Sequence, residues 1–249
     1  MNIDTTKTTQ TTEPAIGFIP CYRLPFLSLF HADCMEIMKQ YPDKYFDLAI
    51  VDPPYGIGAD GTQGFATKKT KGFTFDKKEY TKKNWDSEIP TDEYFFELQR
   101  VSKNQIMWGA NYFITKLPHL KNFIYWHKKG QSKDDKFNEG EIAFVSCGRT
   151  RMIDIWWNGF GTINSGEKRF HPTQKPVKLY DWLLQNYAKE GDLILDTHFG
   201  SGSIALAVDK ANRLDKMNLH LTACEIDKEY IDKAIKRISE SIKQGTLSF

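Results

Sequence analysis

The chain has 249 residues, of which 40% are hydrophobic, 14% aromatic and 27% charged, with a formal net charge of +2. That balance supports a sizeable core and excludes both a disordered chain and a fibrous one. The longest apolar runs, Phe26–Phe30 and Phe46–Val51, are far too short to span a bilayer.

Residues 1–16 read as a solvated polar tail, Thr-rich and without the apolar stretch of a signal peptide. A single domain is expected over 17–249. Cys21, Cys34, Cys147 and Cys224 lie far apart and form no CxxC pair. This predicts a thiol-reduced, cytoplasmic protein with no disulfide scaffold and no metal. Charge is uneven, since residues 66–83 hold seven lysines against Asp76 and Glu79. Such a segment is either a solvated loop or a local polyanion contact.

Taken in chain order, Leu27–Asp33 reads as a strand and Cys34–Gln40 as a short helix. Phe46–Asp52 is an apolar run ending at Pro53-Pro54, the pattern of a buried parallel strand. Residues 56–85, rich in Gly, Thr and Lys, form a long flexible basic loop. Thr91 opens a helix that runs through Ser102, and Gln105–Gly109, Asn122–His127 and Glu141–Cys147 follow as strands. Residues 148–170 carry Arg149, Arg151, Arg169 and Trp156-Trp157 without clear periodicity. Pro176 then opens a helix with Leu179/Leu183 and Tyr180/Leu184 at i, i+4 spacing. Strand Leu193–Asp196, helix Ser203–Lys210, strand Leu221–Glu225 and helix Lys228–Ile242 complete the chain. This alternation predicts an α/β fold, a mostly parallel sheet with helices on both faces.

Two strings carry the chemistry. Asp196-Thr-His-Phe-Gly-Ser-Gly202 lies between an apolar strand and a helix, where glycines admit a ligand to the backbone and the helix start holds anionic groups. Glu225 ends the next strand, 25 residues beyond Gly200, the place of an acid that accepts hydrogen bonds from ribose hydroxyls. Only 24 residues follow Glu225, too few for a second mononucleotide half, so a Rossmann-like nucleotide site is expected and a dinucleotide site is not. Asp52-Pro53-Pro54-Tyr55 follows a buried strand, at the edge where open α/β sheets bind ligands. The prolines fix the backbone and remove two donors. Asp52 and the Pro53 carbonyl can then accept the two hydrogens of an amino group on a flat ring, with Tyr55 stacked against it.

These strings, in this order, resemble the S-adenosylmethionine-dependent amino-methyltransferases of DNA, in the circularly permuted β group of N6-adenine and N4-cytosine enzymes. His171-Pro-Thr-Gln-Lys-Pro176 resembles the family's HPT-x-KP motif, and His31-Ala-Asp33-Cys34 its G-D-C segment. The resemblance covers roughly residues 27–242. It implies a permuted Rossmann-like methyltransferase fold with S-adenosylmethionine as cofactor and S-adenosylhomocysteine as product. It assigns Asp52, Pro53, Pro54 and Tyr55 to the target base. To the cofactor it assigns Asp33, Cys34, His171, Thr173, Lys175, Asp196, Phe199, Gly200, Ser201, Gly202 and Glu225, with Lys175 on a carboxylate. The family commonly has Asp-Pro-Phe before the glycines, where this chain has Asp196-Thr197-His198 and then Phe199.

Double-stranded DNA is the implied partner. Lys68, Lys69, Lys71, Lys77 and Lys78 are expected on phosphates. Arg149 and Arg151 fall in the short stretch, 148–170, where the family places target recognition. The implied reaction is site-specific methylation of adenine N6, because cytosine enzymes usually carry Ser where this chain has Asp52. The alternatives are N4-cytosine, an RNA adenine or protein-glutamine substrate, and a non-catalytic DNA-binding relative. The resemblance also admits a homodimer and a restriction-endonuclease partner, neither of which any residue pattern specifies.

Overall fold

The structure, a computed structural model, describes residues 17–60, 83–118, 121–128, 138–157 and 170–246. The polar tail, the lysines at 68, 69, 71, 77 and 78, and residues 158–169 lie outside the described residues.

The strands are β1 (Tyr22–Leu24), β2 (Leu27–His31), β3 (Phe46–Val51), β4 (Ser102–Trp108), β5 (Asn122–His127), β6 (Gly140–Val145), β7 (Arg151–Asp154), β8 (Leu193–Asp196) and β9 (His220–Glu225). The helices are α1 (Cys34–Met38), α2 (Asp92–Val101), α3 (Val177–Tyr187), α4 (Ser203–Leu214) and α5 (Lys228–Thr246). All the strands join one sheet in the order β1-β2-β9-β8-β3-β4-β6-β5-β7. The run β2-β9-β8-β3-β4 is parallel throughout. β6 then enters antiparallel to β4 and β5, and β1 is antiparallel to β2. The sheet is therefore mixed around a parallel centre. β5 and β6 pair antiparallel from Asn122↔Val145 to His127↔Gly140.

Side-chain alternation along the central strands explains the layers. Leu48, Ile50, Ile106, Ile194 and Leu221 face one core, closed by α3, α4 and α5. Ala49, Val51, Met107, Leu195 and Cys224 face a second core, closed by α1 and α2. Helices thus cover both faces. No described helix is long and apolar enough to cross a membrane, and the four cysteines are all unpaired.

Two strands escape the sequence pattern, β1 and β7. Both are short edge strands with a single neighbour. β7 also places two of the residues expected on DNA. It runs parallel to β5 from Ile124↔Arg151 to His127↔Asp154. Its start, with Arg149 before it, therefore lies toward the amino ends of the parallel strands. There Arg151 sits 6.0 Å over the rings of Trp182 and Tyr187 on α3. The structure does not bring Arg149 and Arg151 to the carboxyl ends of the strands.

β8 sends its helix α4 toward β9 on one side, while β3 flanks it on the other. The carboxyl ends of β8 and β3 therefore border the topological switch point, where open α/β sheets hold their ligands. In sequence β3 comes first and β8 far later, which is the permuted order.

Candidate active site

Four adjacent parallel strands each deliver an acid to this edge: Asp33 beyond β2, Glu225 at the end of β9, Asp196 at the end of β8 and Asp52 just beyond β3. Asp33 caps α1, its Oδ1 accepting the Met35 N–H at 2.7 Å. Glu225 lies opposite His31 across the β2–β9 pair. Its Oε2 accepts the Gly200 N–H at 2.8 Å and its Oε1 the Asp227 N–H at 2.9 Å. The glycine loop is thereby drawn against the end of β9. Burial raises the Glu225 carboxyl, against these two N–H groups.

Gly200 and Gly202 both have left-handed backbones, with φ of +51° and +69°. At Gly202 a Cβ would come 3.1 Å from Phe199 and 3.2 Å from Ile238, which with the positive φ makes any side chain there strained and crowded. Phe199 itself is buried in the core with α5, and its N–H donates to the Cys224 carbonyl. Arg237, unnoticed in the sequence, holds the loop from below through the Ser201 carbonyl at 3.0 Å and the Ser203 hydroxyl at 2.9 Å.

Asp196 is buried, and its Oδ1 accepts the His198 N–H at 3.0 Å. Burial pushes its carboxyl up to about 8, with the Asp52 and Glu225 charges adding to the shift. His198 is driven the other way, to about 4, also by burial. Its Nδ1 pairs with the Thr197 hydroxyl at 2.9 Å, and its ring meets Tyr94 edge-on at 5.5 Å. Cys34, beneath Asp33, is pushed to about 12 by burial and then by the Asp33 charge, so its thiol is inert.

His171 stacks on Trp85 at 5.4 Å and packs against Tyr230 at 4.2 Å. Thr173 donates its N–H to His171 Nδ1 at 3.3 Å. A Cβ on Gly200 would meet the same ring at 3.5 Å, so the His-Pro-Thr segment walls the glycine loop.

At the β3 end the prolines aim Asp52 and Tyr55 toward each other. The Tyr55 hydroxyl donates to Asp52 Oδ1 at 2.5 Å. Its ring stacks on Tyr112 at 4.9 Å and lies against Gly109, where a Cβ would fall 2.2 Å from it. Lys175 is only 4% exposed, and its carbonyl accepts the Ser203 hydroxyl at 2.8 Å. Its ammonium binds Asp52 Oδ2 at 2.5 Å, Glu141 Oε2 at 3.2 Å and the Tyr55 hydroxyl at 3.2 Å. The expected carboxylate partner of Lys175 is therefore one of the chain's own. Lys128 pairs with the other oxygen of Glu141, giving an alternating row Asp52–Lys175–Glu141–Lys128. Burial alone would raise Glu141, but the two ammonium groups outweigh it and hold the carboxyl at about 2. Burial also raises Asp52, and Lys175 opposes the shift. Tyr55 is held well above its usual value by burial and by Asp52, so it stays a neutral donor. No group of three His, Cys, Asp or Glu suited to a metal occurs among the described residues.

The sequence model of the DNA methylase family matches residues 103–236, more than half of the chain. The type II methyltransferase M2.LlaDCHI of Lactococcus lactis subsp. cremoris is 22% identical over 259 residues, spanning 91% of this chain and 94% of its own. M2.DpnII of Streptococcus pneumoniae is 24% identical over 255 residues, spanning 88% and 92%. Among solved structures, the cytosine-N4-specific PvuII DNA methyltransferase superposes with a TM-score of 0.57 at 14% identity, over 89% of each chain. M1.HpyAVI, solved with its SAM ligand, gives 0.53 at 17% identity over 85% of this chain and 98% of its own. These two likenesses bear on the fold. With the family match and the switch-point geometry together, the chain belongs to the DNA methylase family, the S-adenosylmethionine-dependent DNA amino-methyltransferases of the N6/N4 group.

Proposed function

We propose that the chain methylates the N6 amino group of adenine at a specific site in double-stranded DNA. The carrying observation is the Asp52 carboxylate, set at the switch point beside the Tyr55 ring with the Pro53 carbonyl next in the chain. Two acceptors and an aromatic face at one strand end match an exocyclic amino group on a planar ring. A carboxylate has about four lone-pair positions, so Asp52 keeps acceptor capacity beyond Tyr55 and Lys175.

The residues at the neighbouring strand ends fit S-adenosylmethionine. Glu225 offers acceptors to the ribose diol, Asp33 lies toward the adenine, and Asp196 supplies an acid for the cationic methionine part. The left-handed Gly200 and Gly202, with Ser201 between them, bring bare backbone to that part, walled by His171 and Thr173. Bound there, the cofactor supplies a methyl group on a sulfonium, already a good leaving group.

The chain's own work is orientation and charge. An aryl amino nitrogen is a weak nucleophile because its lone pair is spread into the ring. Hydrogen bonds from its N–H groups to Asp52 and to the Pro53 carbonyl favour a pyramidal nitrogen and stabilise positive charge growing on it. Fixing that nitrogen in line with the methyl carbon supplies most of the remaining acceleration. The base has to leave the duplex, at a cost of a few kcal/mol, and stacking against the Tyr55–Tyr112 aromatic pair offsets part of it.

The test is incubation with S-adenosylmethionine and unmethylated duplex DNA, followed by digestion and mass spectrometry of the nucleosides. N6-methyladenine is the expected product. N4-methylcytosine would replace the base assignment while keeping the chemistry, and neither product with cofactor bound would remove duplex DNA as the substrate.

A further inference from the structure

Asp86 is 1% exposed and belongs to none of the motifs of the family resemblance. Its carboxylate nevertheless accepts three backbone donors from the segment that directly follows Asp52-Pro-Pro. Oδ1 accepts the N–H of Tyr55 at 2.6 Å and of Gly56 at 2.9 Å, and Oδ2 accepts that of Ala59 at 2.7 Å. The Asp86 carbonyl takes a fourth, from Gly58 at 3.0 Å. The turn wraps around the carboxylate by means of two left-handed glycines, Gly56 at φ +70° and Gly58 at φ +69°. Converging N–H groups in such a turn form an anion-binding nest, and here the chain fills it with its own carboxylate.

The segment carrying Asp86 is itself anchored on the opposite half of the site. Lys83 bridges Asp227 and Glu229 at the start of α5, both at 2.9 Å. Trp85 stacks on His171, the ring that walls the glycine loop. Four consecutive residues therefore grip the cofactor side at one end and the base side at the other.

We propose that Asp86 is a positioning residue for methyl transfer: by holding the Tyr55–Ala59 turn it sets where the Tyr55 ring and the Asp52 carboxylate stand relative to the glycine loop. The proposal rests on the reading of Asp52 and Tyr55 as the base-binding pair. Asp86 touches neither substrate nor cofactor in this account. Its effect travels through the backbone N–H of Tyr55, and in-line transfer is steep in distance, a misplacement of about 1 Å costing on the order of a hundredfold in rate.

Asp86→Ala removes three charge-assisted bonds at once. Asp86→Asn keeps the shape and one acceptor oxygen but turns an amide N–H₂ toward one of the donors. Single-turnover methyl transfer to unmethylated duplex DNA is measured at saturating cofactor and DNA, alongside S-adenosylmethionine affinity by calorimetry and thermal melting. The expected result for Asp86→Ala is a rate loss of about a hundredfold with cofactor affinity within about twofold of wild type. Asp86→Asn loses about tenfold, the equivalent of one hydrogen bond to a charged group, and reports on the same question should the alanine protein not fold. A wild-type transfer rate in the folded variants, or cofactor affinity lost in step with the rate, overturns the proposal. Asp52→Ala is run in parallel. Wild-type transfer by that protein would sink the underlying reading and this proposal with it, whereas an inactive Asp52→Ala beside an unaffected Asp86→Ala would sink the positioning role alone.

Discussion

Gly109→Ala tests the site through packing rather than through a polar group. Gly109 follows β4 with a backbone φ of +78°, a conformation that costs a residue with a Cβ about 1–2 kcal/mol. The added methyl would sit 2.2 Å from Tyr55 Cε1, 2.6 Å from Cδ1 and 2.7 Å from Cζ. Carbon atoms rest at about 3.5–4.0 Å, so the overlap is more than about 1 Å and must be relieved by moving the ring. Tyr55 has little room, with Tyr112 stacked on it, Phe113 edge-on at 5.9 Å and its hydroxyl tied to Asp52. Overpacking of this kind costs about 1–3 kcal/mol, which with the backbone term makes roughly 2–5 kcal/mol. For a chain of this size that lowers the melting temperature by roughly 4–20 °C. Because the relief is displacement of Tyr55, methyl transfer should fall by on the order of a hundredfold while cofactor affinity is kept. Thermal melts, calorimetry with S-adenosylmethionine and single-turnover assays report the three quantities. A Gly109→Ala protein with full transfer activity and an unshifted melt would refute the placement of Tyr55 against this glycine.

Glu225→Gln sets an amide N–H₂ against the Gly200 or Asp227 N–H, and losing one such bond costs about 1.5–3 kcal/mol. Cofactor affinity by calorimetry should weaken by roughly 10–100-fold, and an unchanged affinity would remove Glu225 from the cofactor site. Asp196 binds a proton more tightly folded than unfolded, with a folded value of about 8. The stability of the ligand-free protein should therefore fall as pH rises from the ordinary carboxyl range through about 8. Binding of a cationic cofactor at pH 7 should release a proton, visible as a buffer-dependent heat, and Asp196→Asn should flatten both effects. Lys175→Met leaves Asp52 and Glu141 as neighbouring part-buried carboxyls without their shared cation. Denaturant melts should lose about 3–5 kcal/mol. The acid limb of the pH–rate profile should move upward because Asp52 loses the charge that opposes its burial, and a profile left in place would separate Lys175 from Asp52.

The central architecture was legible because burial imposes a pattern. Phe46–Val51 reads as a strand from its unbroken apolar run, and such a run follows from having a core on both faces. Asn122–His127 and Leu193–Asp196 appear with the bounds the sequence suggests. The helix from Ser203 runs on to Leu214, beyond the expected Lys210, because Ala211 is still buried against the core. β7 is different in kind. Its Arg-Met-Ile-Asp alternates, but only Ile153 is buried, and Met152 at the sheet edge is 65% exposed. Four residues with one core contact carry almost no periodic signal, and what orders them is pairing with β5, which no local pattern announces.

The site divides along the same physical line. Asp52, Asp196, Glu225 and the glycine turn could be read because each is fixed by its own strand: a parallel strand ends, and the next residues must stand at the carboxyl edge. Glu141, Lys128, Asp86, Tyr112 and Arg237 could not, since their roles exist only through partners brought in from other elements. Glu141 looked like no more than the start of a strand. It stands beside Lys175 because β6 is antiparallel to β4, which carries the beginning of β6, rather than its end, to the carboxyl edge of the parallel strands. A single reversed strand thus delivers a second acid to Lys175, and its consequence is electrostatic. Were Lys175 paired with Asp52 alone, its full charge would compete with an incoming amino group for the carboxylate. Shared with Glu141, which Lys128 also pairs, that charge holds Asp52 in place while being drawn only in part to its carboxylate. Glu141→Gln should therefore tighten the Asp52–Lys175 contact and weaken the hold on the base, raising KM for DNA with cofactor affinity unchanged. A KM equal to that of wild type would show that the second acid does no more than bury a lysine.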